Sequence, residues 1–124
     1  MLAGAPFIGF IPTTDLARAR SFYEGTLGLR CTDDNPVACV FDANGTMLRV
    51  TAVPELRPAG YTVAGWRVDD IGTAGKALVD AVVEFRHYDG MDQDDLGVWT
   101  TPDGSKVAWF SDPDGNVLSL TQLA

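Results

Sequence analysis

A short stretch of sequence occurs twice in this chain and strongly limits the folds that it can adopt. The stretch from Asp42 to Thr51 reads DANGTMLRVT, and it recurs from Asp112 to Thr121 as DPDGNVLSLT. A second matching pair lies upstream, because Thr14-Asp15-Leu16 and Asp69-Asp70-Ile71 each begin a helix-like pattern. Repetition on this scale predicts that two similar halves build the molecule. We therefore expect any functional site to lie where the two halves face each other.

Length, charge and cysteine content limit the class of protein. At 124 residues the chain is long enough to form a single domain, residues 1–124, without disulfides or a structural metal. Its net charge of −8 disfavours nucleic acid and anionic membranes as partners, because both bind basic surfaces. Cys31 and Cys39 match no zinc or redox spacing, which predicts reduced thiols in a cytoplasmic protein. We expect no membrane span and no signal peptide, because no apolar run is long enough.

The first half, module one at residues 7–53, has the pattern of a βαβββ unit. A short apolar strand over residues 7–12 precedes a helix that begins near Asp15, a favourable N-cap, and ends before Gly28. Three strands follow, near residues 30–33, 38–42 and 46–53. Asn44-Gly45 predicts a tight hairpin between the last two.

The second half, module two at residues 61–122, follows a linker over residues 54–60 that contains two prolines and a glycine. The pattern predicts a strand over 61–68, a helix over 70–80, and strands near 83–88, 97–101, 106–110 and 117–122. This half is longer than the first by a segment around residues 88–103. Such an insertion is a candidate for a flexible rim or lid over a site.

Two motifs identify a family that the chain resembles. They are DLARARSFYEGTLG, from Asp15 to Gly28, and WFSDPDGNVLSL, from Trp109 to Leu120. From Phe7 to Gln122 the chain resembles the vicinal oxygen chelate superfamily, which includes glyoxalase I, extradiol dioxygenases, fosfomycin resistance enzymes and bleomycin resistance proteins. The resemblance implies an α+β fold of two βαβββ modules, whose curled mixed β-sheets form a cup, and a homodimer.

The resemblance also implies where a divalent metal would be held by the enzymes of this family. Their four ligand positions, usually His and Glu, correspond here to Ile8, Arg49, Val63 and Ser119. Two of these side chains have no lone pairs, an arginine repels cations, and a lone serine hydroxyl is a poor ligand. The only histidine, His87, lies away from these positions. We therefore predict that this chain uses neither a metal nor another cofactor.

The side chains expected to line the cup are mostly apolar and aromatic. Strand alternation and the family resemblance give the candidate ligand-binding residues Phe10, Met47, Arg49, Arg67, Trp99, Trp109 and Ser119. Arg49 is expected either to anchor a ligand carboxylate, phosphate or carbonyl, or to form a structural ion pair. The two tryptophans either stack on a planar ligand or belong to the core.

The favoured function is a metal-independent binding protein of the glyoxalase/bleomycin resistance type, with a small organic molecule as its ligand. A metal-free isomerase or lyase is one alternative, in which Arg49 would stabilise an oxyanion. A metal-dependent lyase or dioxygenase relative with atypical ligands and a regulatory subunit that mainly dimerises are others. No catalytic residue is predicted: no nucleophile accompanies His87, and the acidic loop over residues 89–95 lacks calcium-binding spacing.

Overall fold

A computed structural model describes the whole chain, residues 1–124. The chain divides into two compact units, Met1–Arg57 and Pro58–Ala124. The boundary falls inside the linker predicted over residues 54–60 and separates the two halves of the sequence repeat.

The first unit is a βαβββ module. It contains strand β1 (Ile8–Thr13), helix α1 (Leu16–Arg20), a π-helical segment (Ser21–Thr26), and strands β2 (Arg30–Asp34), β3 (Ala38–Ala43) and β4 (Thr46–Ala52). The strand order in the sheet is β1-β4-β3-β2. Strand β1 runs parallel to β4, and the other neighbours are antiparallel. The sheet is therefore mixed, as predicted.

The first helix begins and ends where the sequence indicates. The Asp15 carboxylate accepts a hydrogen bond from the amide of Arg18 at 3.1 Å, which is N-cap geometry. Gly28 follows the last turn with a φ of 77°, a conformation that favours glycine. The helix widens to π geometry at Ser21, which the sequence did not predict. Tyr23, fully buried, then packs against Phe41 of the sheet with ring centroids 5.8 Å apart.

The second unit repeats the same arrangement. It contains β5 (Thr62–Arg67), α2 (Ile71–Asp80), β6 (Trp99–Thr100), β7 (Lys106–Ser111) and β8 (Val117–Gln122). The strand order is β5-β8-β7-β6, with β5 parallel to β8 and the other pairs antiparallel. Neither α-helix is long and apolar enough to cross a membrane. The predicted α+β architecture of two βαβββ modules is confirmed.

One predicted strand is wrong. Residues 83–88 form only an isolated bridge, between Phe85 and Phe110, and β6 is shorter than the strand predicted over 97–101. The cause is a side chain further along the sequence. The Gln93 amide accepts from the Tyr88 amide N–H and donates to the Arg86 carbonyl. These backbone groups are therefore bonded to a side chain and not to a neighbouring strand.

The repeated stretch is a turn held by its first aspartate. Asp42 accepts a hydrogen bond from the Gly45 amide at 2.8 Å, and Asp112 accepts one from the Asn116 amide at 2.9 Å. Asn44 and Gly45 both have positive φ, 52° and 94°, as a two-residue hairpin turn requires. In both modules the repeated stretch therefore forms the turn between the last two strands, and its first aspartate accepts a backbone hydrogen bond within that turn.

Candidate functional site

Each sheet has one face covered by the helix of its own module and one open face. In β4, Leu48 and Val50 are buried on the covered side, whereas Met47 and Arg49 point to the opposite side. In β8 and β7, Leu118, Leu120 and Phe110 are buried on the covered side in the same way. The predicted ligand-binding residues all belong to the open faces.

The open face of the first sheet is apolar around one arginine. Arg49 lies directly opposite Phe10 on β1 and Val40 on β3. Met47 lies opposite Ile8 on the same face. Phe10 is 63% exposed and Met47 is 42% exposed, so these apolar side chains are available for contact.

Arg49 is half-buried and forms no hydrogen bond, ion pair or ring contact within the chain. Another arginine of the sheet behaves differently: Arg30 on β2 pairs with Asp42 at 3.5 Å. The structural ion pair considered for Arg49 is therefore not formed. On the same face of β4, the buried Thr51 hydroxyl also lacks a hydrogen-bond partner.

The open face of the second sheet carries the remaining predicted residues in two adjacent rows. In one row Arg67, Thr121, Val107 and Trp99 follow each other across β5, β8, β7 and β6. In the next row Ser119 lies between Gly65 and Trp109. Arg67 is exposed and forms no ion pair within the chain, whereas Ser119 is buried to 7% exposure.

Three aromatic rings form a cluster on this second open face. The indole rings of Trp99 and Trp109 stack with centroids 6.2 Å apart and planes at 28°. Tyr88 meets Trp109 edge-on, with centroids 5.6 Å apart. The Trp109 ring nitrogen donates to the Thr62 hydroxyl at 3.1 Å, which fixes the indole in its plane. We call Tyr88, Trp99 and Trp109 the aromatic cluster.

Tyr88 is not among the ligand-binding residues predicted from the sequence, because it is assigned to the end of the strand predicted near residues 83–88. The residue lies outside any strand, so alternation could not place it on a face. The one available signal was its position at the start of the inserted segment. That segment supplies both Tyr88 and Trp99 to the aromatic cluster, which gives the insertion a structural role.

Side chains within the inserted segment hold its backbone. The Gln93 amide nitrogen donates to the carbonyls of Arg86 and Gly97 at 2.9 and 2.8 Å. The Asp94 carboxylate accepts from the amides of Leu96, Gly97 and Val98. These bonds hold the backbone close to Tyr88 and directly before Trp99, the two residues that the segment supplies to the aromatic cluster.

The four positions that would hold a metal in the related enzymes do not fit a metal. Ile8 lies on β1, Arg49 on β4, Val63 on β5 and Ser119 on β8, so each is on the strand expected for it. Two hydrocarbon side chains and a guanidinium supply no ligand atoms. No group of three or more His, Cys, Asp or Glu side chains converges anywhere in the chain. His87 is exposed and forms no hydrogen bond or ion pair within the chain.

Known structures share this architecture over nearly the whole chain. A glyoxalase family protein from Bacillus anthracis has a TM-score of 0.75 at 16% identity, covering 97% of this chain and 95% of that one. A superfamily member from Sphaerobacter thermophilus has a TM-score of 0.74 at 26% identity, covering 98% and 99%. A lactoylglutathione lyase from Agrobacterium tumefaciens has a TM-score of 0.74 at 18% identity, covering 96% and 93%.

Sequence comparison gives the same family. No curated protein sequence matches the chain. The model of one protein family, however, matches residues 6–120, which is nearly the full length. Since that match spans both modules and agrees with the topology above, the chain belongs to the Glyoxalase/Bleomycin resistance protein/Dioxygenase superfamily.

Proposed function

We propose that this protein binds a small organic molecule without a metal ion, and that Arg49 anchors a carboxylate, phosphate or carbonyl group of that ligand. The observation that carries the proposal is the unpartnered guanidinium of Arg49 among Phe10, Val40 and Met47. Ligand sites typically combine apolar walls with a few oriented polar groups. A charge-assisted hydrogen bond to a planar anionic group suits this setting.

The aromatic cluster supports a planar ligand. Two stacked indoles and a tyrosine edge offer ring surface on the second open face. Planar molecules bind such surfaces by offset stacking. We propose the cluster as the stacking surface of its module.

Metal independence is supported by the chemistry of the four family positions. Hydrocarbon side chains at Ile8 and Val63 and a cation at Arg49 would oppose metal binding. Prolonged dialysis against EDTA is expected to leave the melting temperature and ligand binding unchanged. A stoichiometric divalent ion that survives purification, found by elemental analysis, would contradict this part of the proposal.

A thermal-shift screen against a broad panel of metabolites and antibiotics tests ligand binding. A ligand that binds only the folded state raises the melting temperature according to its occupancy. With a hit in hand, Arg49→Ala is expected to weaken binding about tenfold or more while leaving the melting temperature of the free protein nearly unchanged.

Arg30→Ala is the matched control, because Arg30 lies on the same sheet and is 74% exposed beside Asp42. It should leave affinity unchanged. Equal binding by wild type and Arg49→Ala would reject Arg49 as the anchor. Weakening by Trp109→Leu alone would instead assign the ligand to the aromatic cluster.

A metal-free isomerase or lyase is the competing hypothesis, since an unpartnered arginine would also stabilise an enolate or oxyanion. The two functions differ in turnover. Incubation of each hit with the protein, followed by one-dimensional NMR of the ligand, detects conversion. Unchanged ligand spectra with retained binding support the binding protein.

We also propose that the protein forms a homodimer. Phe7 is 76% exposed, which leaves a large apolar side chain in contact with water. A second copy would remove this surface from water. Sedimentation equilibrium is expected to give twice the chain mass, and Phe7→Ser should shift the equilibrium towards monomer. A strictly monomeric wild type at tens of micromolar would contradict the dimer.

A further inference from the structure

Helix α2 ends in a backbone conformation that is unfavourable for the residue found there. The amide of Val82 donates to the Val79 carbonyl and the amide of Val83 to the Leu78 carbonyl, each at 2.9 Å. This is a Schellman motif, in which the position of Val82 is usually a glycine with positive φ. Val82 has a φ of 67°, although it is β-branched. Its isopropyl group is 91% exposed, so no packing within the chain explains the choice of residue.

This residue borders a groove on the helix-covered side of the second module. Its apolar lining consists of Val79, Val82, Val83, Phe85 and Leu96. Of these, Val83 and Phe85 are buried. The groove has a volume of about 640 Å³, within the range of small-molecule sites.

The walls are fixed by packing. Phe85 contacts Phe110 of β7 edge-on at 5.7 Å. Leu96 packs so closely on helix α2 that a Cβ atom at Gly75 would lie 2.5 Å from it. Phe85 and Leu96 are therefore held in place by contacts within the chain.

The rim of the groove is acidic. Glu84 and Asp95 are exposed, line the groove, and form no ion pair within the chain. His87 is the other ionisable group of the rim. The chain as a whole carries a net charge of −8, which adds to the attraction for cations.

We propose that this groove, lined by Val79, Val82, Val83, Phe85 and Leu96 and edged by Glu84 and Asp95, is a second binding site, for small organic cations with an apolar body. The apolar body would cover the exposed isopropyl group of Val82 and gain the hydrophobic contact that the folded chain leaves unused. The cationic group would face the two carboxylates. Strained backbone residues are often kept at functional sites, which is consistent with valine at this position.

The site is independent of the function proposed above. The groove lies on the covered side of the second sheet, because Phe85 packs on Phe110 and Leu96 on helix α2. The aromatic cluster belongs to the open face of that sheet. An experiment that rejects one of the two proposed sites therefore does not argue against the other.

Benzyltrimethylammonium is a suitable probe, with benzyl alcohol as its neutral counterpart. Backbone amide NMR titrations of the full chain give the location and the affinity. We expect shifts confined to residues 79–87 and 95–97 and a dissociation constant of about 1–10 mM, as befits a ligand of this size. Benzyl alcohol should bind several-fold more weakly.

Val82→Gly separates folding from binding. It relieves the positive φ and should raise the melting temperature by about 2–5 °C, while weakening probe binding severalfold because an apolar contact is lost. The double variant Glu84→Gln/Asp95→Asn should weaken binding about threefold to tenfold without changing the fold. Val79→Thr, close in shape, should weaken binding without raising the melting temperature.

Three results would overturn the site. One is a set of shifts confined to the aromatic cluster, which would show cation–π binding on the open face instead. Another is equal affinity for the wild type, Val82→Gly and the charge-neutralised double variant. The third is equal binding of benzyl alcohol and the cation, which would remove charge recognition from the proposal.

Discussion

Trp99 and Trp109 stack face to face across β6 and β7, with ring centroids 6.2 Å apart and ring planes at 28°. Trp109 has two further partners, the edge of Tyr88 and the hydroxyl of Thr62. It is thus the central ring of the cluster, although part of it remains exposed. The two tryptophans hold each other in place, so their orientation does not depend on a ligand.

Trp109→Leu is expected to lower the free energy of unfolding by about 2–3 kcal/mol. The variant loses a stacked pair, an edge contact and a hydrogen bond. Trp99→Leu loses only the stacked pair and should cost about 1 kcal/mol. Urea unfolding followed by far-ultraviolet circular dichroism measures both. Equal losses in the two variants would show that the contacts of Trp109 to Tyr88 and Thr62 contribute little.

The Gln93 side chain is expected to control the order of the inserted segment. Its amide joins the backbone of Arg86, Tyr88 and Gly97 through three hydrogen bonds. Gln93→Ala removes all three and should cost about 1–2 kcal/mol. Gln93→Glu should cost about 2–3 kcal/mol, because a carboxylate oxygen would face two carbonyl oxygens.

Hydrogen exchange checks this prediction directly, since the Tyr88 amide should exchange faster in both Gln93 variants. The control is Asp92→Ala, in the same segment, because the exposed Asp92 forms no hydrogen bond or ion pair within the chain. Its exchange pattern and stability should match those of the wild type. A Gln93→Glu variant as stable as the wild type would refute the role of the amide.

The architecture could be predicted from the sequence where local signals and the repeat agreed. The N-cap at Asp15, the stop at Gly28 and the hairpin at Asn44-Gly45 each depend on residues close in sequence, and each is present. Strand alternation also placed Arg49 on the open face of its sheet correctly. These features follow from local backbone preferences and from period-two patterning.

The errors fall where a side chain forms bonds that periodicity does not encode. Residues 83–88 are apolar enough for a strand, yet Gln93 binds the backbone at Arg86 and Tyr88. Tyr88 lies outside any strand and contacts Trp109 edge-on, and period-two patterning does not encode such a contact. The sequence also could not show that Arg49 has no partner, because the pairing of an arginine depends on its neighbours in three dimensions.

Cys39 is expected to make the stability fall at high pH. The side chain is 1% exposed, and burial, with a smaller effect of the Asp34 carboxylate, raises the pKa of its thiol from 9.0 to about 11. The folded state then keeps a proton that the unfolded chain has lost. This stabilisation is complete below about pH 9 and is lost as the pH rises through 11, with a slope of up to about 1.4 kcal/mol per pH unit.

Urea unfolding between pH 8.5 and 11.5 measures this slope, with Cys39→Ala and Cys31→Ala as the pair to compare. The slope should be reduced in Cys39→Ala and retained in Cys31→Ala, because Cys31 is not fully buried. Labelling with Ellman's reagent should likewise modify one thiol quickly in the native protein and the second only on unfolding. Rapid labelling of both thiols would contradict the burial of Cys39.

Gly65 and Ser119 lie opposite each other on β5 and β8, and we expect their side chains to be strongly coupled. A Cβ atom at Gly65 would overlap the Ser119 hydroxyl and lie 3.1 Å from the Ser119 carbonyl oxygen. Gly65→Ala should therefore cost about 1–3 kcal/mol, as overpacking usually does. In a Ser119→Ala background the hydroxyl is absent, and the cost of Gly65→Ala should fall by about 1 kcal/mol.

A double-mutant cycle from urea unfolding gives the coupling energy directly. Gly25→Ala is the control, because Gly25 has no atom within 4 Å of an added Cβ and lies in the π-helical segment. That substitution should be neutral or stabilising, by up to about 1 kcal/mol. If Gly65→Ala costs the same with serine and with alanine at position 119, the clash lies with the backbone of β8. Ser119 would then have no part in keeping position 65 free of a side chain on the open face.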